Sequence, residues 1–255
     1  MRSIIVQRHL WTVFSLLLVS LLLFGCDPPK GKKGGVAKGG VGEKEKIKSA
    51  DNMKKLVLAA QDYAMKQRPE WRYFPAYTVD ANGKPLHSWR VLILPHIGEQ
   101  ELFSQIRLNE PWDSEHNKQF HERDIECFRS AGAKSTKKGF TDFSMVVGPD
   151  MISTGPASKN FREITDGTSN TVLFVERATP VCWMDPTEVT QEAAFLGIGA
   201  SPDGIAEAVY DGGKTTIMGL CDGSWQWANK EATPEEVKAA LTPSGGESKR
   251  APWAY

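Results

Sequence analysis

The longest regular pattern of apolar and polar positions lies at residues 47–67, IKSADNMKKLVLAAQDYAMKQ. Met53, Leu56, Val57, Ala60, Tyr63 and Ala64 fall at i, i+3, i+4, i+7, i+10 and i+11, a continuous stripe along a 3.6-residue helix. Lys54, Lys55, Asp62 and Lys66 lie mostly off the stripe. The pattern stops at Arg68-Pro69, because the residue before a proline is pushed out of the helical region. A stripe of this kind must cover another surface, and the strand-like segments downstream are the candidates.

Those segments follow in order. Asp80-Ala81-Asn82-Gly83 is a turn signal between residues 77–79 and the run 89–94, which predicts a hairpin. Residues 91–94 are continuously apolar and read as a strand buried on both faces, closed by Pro95. Residues 99–106 predict a short helix, and Pro111-Trp112-Asp113-Ser114 opens another, with Ser114 or Asp113 as N-cap. Residues 125–128 and 143–147 read as further strands. Residues 215–220 form a strand, Asp222-Gly223 a hairpin turn and residues 224–227 its return. Thr233-Pro234-Glu235-Glu236 then carries three helix-start signals: a Thr cap, Pro at the first position and Glu at the third. That helix ends near Leu241, and residues 243–255 are expected to be a flexible tail.

Upstream of residue 47 the pattern changes. Arg2 and Arg8 precede an apolar core from Leu10 to Phe24, interrupted only by Thr12, Ser15 and Ser20. Fifteen residues rise about 22 Å as a helix, short of the roughly 30 Å hydrocarbon core. Residues 1–25 therefore read as a secretory signal peptide. Leu23-Phe24-Gly25-Cys26 resembles a bacterial lipobox, which implies cleavage before Cys26 and lipidation of its thiol. The competing reading is an ordinary signal peptide in which Cys26 is incidental. Lipidated Cys26 would make the membrane the protein's first partner and place the domain on the periplasmic or outer face of a cell membrane. Residues 26–46 are a tether: between Lys30 and Gly42 stand six Gly and four Lys and no acid, so no core can form. The globular domain is assigned to residues 47–242.

Charge excludes little else. The chain has 31 basic and 31 acidic residues, and loss of the leader with its two arginines leaves a small negative excess, no footprint for nucleic acid. His121-Glu122-Arg123-Asp124 begins like the zinc-protease HExxH, but Ile125 replaces the second ligand. Gly212-Gly213-Lys214-Thr215 mimics the end of a phosphate-binding loop, yet Ala208 stands at its first glycine and a strand follows. No G-x-S-x-G elbow exists, and His87, His96, His116 and His121 pair with no evident nucleophile. Asp113 and His116 read as a capping Asp and a surface His. Asp166, Thr168 and Asn170 in Asp166-Gly167-Thr168-Ser169-Asn170 are weak calcium candidates, since the same residues satisfy their own backbone in tight turns. Trp71, Tyr73, Phe74 and Tyr77 read as core or sheet cover ahead of a ligand cage. No metal centre, cofactor or catalytic residue is expected.

Phe74-Pro75, SWRVLILP, EQ-x-L, NEPWDSEHN, ECFRS, VVGP and ITDGTSNTVLFVE, in this order over residues 49–242, resemble a planctomycete-type family of unknown function, DUF1559. The family is also catalogued as bacterial solute-binding family 10. The resemblance implies an α+β, pilin-like domain, an N-terminal amphipathic helix packed on an antiparallel sheet, with short additional helices and a C-terminal helix. It implies no established activity. Members usually carry a prepilin leader, where this chain has a lipobox and a Gly/Lys tether. Members also tend to end with His, nine residues, then Asp-Gly; here Asp222-Gly223 is present and Gly212 stands where the His would be. Cys127 falls where relatives commonly have Cys, whereas Cys182 and Cys221 fall where they usually do not, which favours a Cys182–Cys221 disulfide over Cys127 paired with either. The expected function is that of an exported, lipid-anchored, non-catalytic envelope protein with a structural or interaction role, a monomer or small oligomer that does not form filaments. The alternative is a lipoprotein that binds a small solute.

Overall fold

The structure is a computed structural model, and it describes residues 41–67, 72–132, 137–246 and 252–253. Helix α1 (Glu43–Met65) carries the predicted stripe and begins four residues earlier than the periodicity suggested, with Glu43 and Glu45 in its first turn, where acidic side chains suit the helix dipole. Met53, Leu56, Val57, Ala60 and Ala64 are buried, and Tyr63 is half-buried.

The surface they cover is a four-stranded antiparallel sheet in the order β3 (Phe140–Ser144), β5 (Val172–Cys182), β7 (Thr215–Leu220), β8 (Trp225–Asn229). α1 lies over β7 at Gly219. A Cβ added there would fall 2.5 Å from Val57 Cγ1 and 2.6 Å from Met53 Sδ, so glycine sets how closely helix and sheet approach. Asn52, buried on the same helix, donates to the carbonyls of Glu126 and Arg129 at 3.0 and 2.8 Å. α5 (Pro234–Leu241) contributes to a second core with Val175, Met218 and Ala228, while Phe174 and Ile217 belong to the first. With both faces covered, every residue of β7 is buried, which is why it reads as an unbroken run and shows no alternation. The α+β expectation, a long N-terminal helix on an antiparallel sheet, holds.

Several local expectations hold as well. The expected turn at Asp80–Gly83 forms, closed by Gly83 N–H to Asp80 O at 3.0 Å, but β1 (Thr78–Val79) pairs with β2 (Pro85–His87) and not with the run 89–94. The short helix at 99–106 is α3 (Gln100–Gln105). The capping box at α5 forms in full: the Thr233 hydroxyl accepts the Glu236 N–H, and the Glu236 carboxylate accepts the Thr233 N–H.

Three segments depart from the sequence reading. The apolar run 91–94 is not a strand: α2 (Trp89–Leu92) starts at a Ser88 N-cap and passes into a 3-10 turn at Leu94–His96. Residues 125–128 form a 3-10 turn at Glu126–Phe128, and the helix expected from residue 111 is reduced to a 3-10 turn at Asn117–Phe120. Short apolar runs suit a buried turn as well as a buried strand, and here the tie of Asn52 to the Glu126 and Arg129 carbonyls holds the turn. The run 143–147 breaks at Met145 into the end of β3 and β4 (Val146–Val147), which pairs in parallel with β6 (Val189–Thr190), just before α4 (Gln191–Ala194). The described part of the C-terminal tail is hydrogen-bonded to the domain. The Gly245 and Gly246 N–H groups donate to the Asp166 carboxylate, and Asn229 N–H of β8 bonds Pro252 O at 2.7 Å.

Candidate functional site

The central strand β5 is where the sheet becomes irregular. Over Val172–Val175 it pairs with β7, and beyond that point segment 204–206 takes the place of β7: Ala206 N–H bonds Glu176 O at 2.8 Å and Ala178 N–H bonds Gly204 O at 3.0 Å. On its other edge, the step from Thr141 to Phe143 in β3 is matched by the step from Glu176 to Val181 in β5. Residues 177–180 therefore bulge away from the ladder opposite Asp142, and such bulges often re-aim side chains beside functional sites. A cavity of about 260 Å³ opens at this bulge, lined among others by Ser130, Asp142, Glu176, Arg177, Thr179 and Glu207.

Two buried carboxylates stand at it. Glu176 accepts from four donors: Ser130 Oγ, Tyr210 OH at 2.8 Å, Thr216 Oγ1 and Ile217 N–H at 3.2 Å. Tyr210 also reaches Ser49 Oγ of α1 at 2.8 Å, so this network ties helix, sheet and the 204–210 segment together. Burial, and then the Glu176 charge, push the Tyr210 phenol far above its usual range.

Asp142 is held differently. Its Oδ2 accepts Ser130 N–H at 3.0 Å and Arg129 Nε at 3.2 Å, while Oδ1 is buried with no donor among the described residues. Burial lifts its pKa to about 6; Arg129 and the Ser130 amide pull the other way. Arg177, also buried, gives Nε to Thr179 O at 2.7 Å and Nη1 to Thr187 O at 2.8 Å, and has no carboxylate within ion-pair reach among the described residues. Burial lowers its pKa to about 10.

Sequence reasoning missed all three residues. Glu176 and Arg177 close the apolar run 172–175, and Asp142 interrupts Phe140–Ser144. A charge inside an apolar run was the available signal. The same signal marks Arg90 in Trp89-Arg90-Val91. Its guanidinium, fully buried, meets Glu188 Oε1 at 2.7 Å and stacks 4.5 Å above the Trp89 ring; Glu188 Oε2 in turn accepts Ser144 Oγ and Met145 N–H. This pair clamps the 88–90 segment to the end of β3.

The residues singled out from sequence lie elsewhere. Cys26 falls outside the described residues, as does Trp71. The Cys182–Cys221 disulfide does not form. Cys221 N–H bonds Thr171 O just before β5 begins, whereas Cys182 ends β5, which, allowing for the bulge, puts the two roughly 25 Å apart at the rise of a strand, far beyond bridging reach. Cys127 is not bridged either; burial pushes its thiol up to about 12 and makes it an inert apolar side chain. Asp166 gives its carboxylate to the Gly245 and Gly246 amides, Asn170 Nδ2 donates to Asp166 O, and Asp222 N–H bonds Thr168 O. The loop is thereby built into the closure of the fold. Among the described residues no three His, Cys, Asp or Glu side chains are grouped to hold a metal ion. His116 and His121 cap the carbonyls of Gln105 and Trp112. Gly212 and Asp222-Gly223 lie at opposite ends of β7. Phe74 enters the core, while Tyr73 and Tyr77 border a second, open groove of about 750 Å³ with Tyr63 and His96.

Comparison with known proteins adds one result. Neither curated proteins nor solved structures gave a match, so likeness to pilins in particular rests on the sequence resemblance. The profile of one family matches residues 46–152 and 129–253, together most of the chain; it is described as a protein of unknown function and is also catalogued under a solute-binding label. The chain belongs to that family, DUF1559.

Proposed function

We propose that this chain is an exported, lipid-anchored envelope protein that acts by non-covalent interaction and carries out no chemistry of its own. The observation that supports this reading is the fate of the α1 stripe. Met53, Leu56, Val57 and Ala60 are buried against the chain's own sheet, with Gly219 setting the contact. A helix whose apolar face is occupied within its own domain is not free to share that face with neighbours in a filament. Lipidation of Cys26 would hold the domain at the membrane through the Gly/Lys tether, and two or more acyl chains make such an anchor stable. Light scattering of a soluble form, residues 46–255, together with electron microscopy of the lipidated protein, tests the reading. Monomers or small oligomers are expected; ordered filaments from either sample would overturn it. Intact mass of membrane-extracted protein tests the anchor: loss of residues 1–25 plus acyl mass is expected, and a Cys26→Ser form with the same mass shift would contradict it.

A second reading, capture of a small solute, is favoured by one observation, the polar cavity at the β5 bulge. At about 260 Å³ it lies below the roughly 300–1,000 Å³ typical of pockets for drug-sized ligands, so a solute of few atoms is the one that fits.

A further inference from the structure

We propose that the open groove beside the C-terminal end of α1 is a binding site for a neutral saccharide, with Tyr63, Tyr73 and Tyr77 as the wall on which pyranose units rest and His96 Nε2 as the acceptor for a sugar hydroxyl. The inference names a partner for the reading of this chain as one that acts by non-covalent interaction, and it rests on that reading. The groove shares no lining residue with the cavity at the β5 bulge.

Three observations carry it. First, the His96 side chain is 10 % exposed and only half used. Nδ1 meets the Asp62 carboxylate at 2.7 Å, whereas Nε2 bonds no described residue and is not sealed in: it keeps open surface on a side chain that lines the groove. Lys66, and then His96, hold the Asp62 carboxyl below its ordinary range, so it is ionised and takes the Nδ1 proton, which leaves Nε2 an acceptor. Second, the wall is amphipathic. Tyr73 is 38 % exposed, and the half-buried Tyr63 and Tyr77 carry phenol oxygens that bond no described residue and also keep open surface. The wall is held in place. Tyr63 meets the His96 ring edge-on with centroids 5.7 Å apart, and Gln67 bonds the Tyr73 backbone twice, Nε2 to O at 3.1 Å and N–H to Oε1 at 3.3 Å. Gly155 leaves room for Tyr77, since a Cβ there would fall 2.6 Å from the phenol oxygen. Third, the groove offers no unpaired charge among the described residues. Lys66, the one Lys, Arg, Asp or Glu in that lining, is bonded to Asp62 at 2.7 Å.

These features select the ligand. A pyranose ring has an apolar C–H face that can cover an aromatic ring and a rim of hydroxyls that both donate and accept, so it meets the tyrosine wall and Nε2 together. A proline-rich segment also suits an aromatic groove, but its prolines offer carbonyls and no N–H for Nε2. A quaternary ammonium ion brings no donor either, and it would meet the Lys66 ammonium at the rim. At about 750 Å³ the groove has room for several linked rings, within the roughly 300–1,000 Å³ of ligand sites.

The test is calorimetric titration of the full-length protein, in a detergent without a sugar headgroup. Cellotetraose, maltotetraose, mannotetraose and chitotetraose are the probes, with octaproline and tetramethylammonium chloride as competing ligands. At least one tetrasaccharide should bind at one site and more tightly than either competitor. Tyr73→Ala, a change at an exposed position, should weaken that binding by about tenfold or more, while Tyr73→Phe should stay within about threefold. His96→Leu, which removes the acceptor, should also weaken it by about tenfold or more, and Tyr73→Ala decides alone should His96→Leu not fold. No binding of any tetrasaccharide, tighter binding of octaproline or tetramethylammonium, or wild-type affinity in Tyr73→Ala would each overturn the proposal. None of these outcomes bears on the filament and mass tests above, so failure of the saccharide site and failure of the envelope reading are told apart.

Discussion

Glu176 and Asp142 stand on adjacent strands, line the same cavity and are both more than nine-tenths buried, yet the fold treats them in opposite ways. Glu176 is met by four donors drawn from three other parts of the chain. Asp142 is met on one oxygen and left open on the other. The difference separates two uses of a buried charge. A saturated carboxylate acts as a fastener, joining α1, β5, β7 and the 204–210 segment through Ser49, Ser130, Tyr210 and Thr216. A half-satisfied one adds little to stability, because one oxygen has lost its water without gaining a donor. The Arg90–Glu188 pair belongs with Glu176: its ions are matched, and Glu188 accepts further bonds from Ser144 and Met145.

Breaking the fasteners should have the largest effects. Arg90→Ala leaves Glu188 buried without its cation, and a loss of about 3–5 kcal/mol in chemical denaturation is expected. Glu176→Gln sets an amide donor among donors and should cost about 2–3 kcal/mol by the same measurement. On the apolar side of the sheet, Gly219→Ala drives a methyl group into Val57 and Met53 and should cost about 1–3 kcal/mol. Asp142→Asn can keep an acceptor toward Ser130 and Arg129 while placing its amide at the open position, so its cost should stay within about 1 kcal/mol. A larger loss for Asp142→Asn than for Glu176→Gln would erase the distinction.

A further effect lies in the pH profile. Asp142 has a raised folded-state pKa, so between its ordinary 3.8 and about 6 the folded chain holds a proton that the unfolded chain has released. Through this group, stability declines as pH rises across that window, by on the order of 1–2 kcal/mol after allowance for solvent entering the cavity. His87 acts in the opposite sense. Burial holds its imidazole below the usual range, against the pull of the Glu110, Leu108 and Arg107 carbonyls, so the folded state resists the proton that the unfolded chain accepts below about 6.5. Stability through His87 falls as pH falls. Melting temperatures followed from pH 4 to pH 8 should show Asp142→Asn lacking the first contribution and keeping the second.

Much of the apolar framework was legible in the sequence because its signals are local. The α1 stripe, the β7–β8 hairpin with its Asp222-Gly223 turn and the capping box at Thr233 each fit within a few turns or a single loop. Residues 91–94 and 125–128 were misread because a four-residue segment is too short to reveal a period, and Ser88 as a cap decided the first of them. The candidate site was not legible. Glu176 meets Tyr210, Thr216 and Ser130 across 34, 40 and 46 residues, and no spacing rule reaches so far. β5 itself, central in the sheet, turns from an apolar run into Glu-Arg-Ala-Thr-Pro at the point where it leaves β7, so its second half carries no strand pattern. The expected Cys182–Cys221 bridge failed for a related reason: that reading weighed which cysteines were unusual and had no access to their places at opposite ends of one strand.

The central claim is that Asp142 differs from the other carboxylates among the described residues by being buried with one oxygen unpartnered. Carboxyl carbon chemical shifts followed by NMR across pH 3–8 test it most directly. The account predicts one aspartate carboxyl titrating near pH 6 that vanishes in Asp142→Asn. If Asp142 instead titrates near pH 4, its second oxygen has a donor after all, and the contrast with Glu176 does not exist.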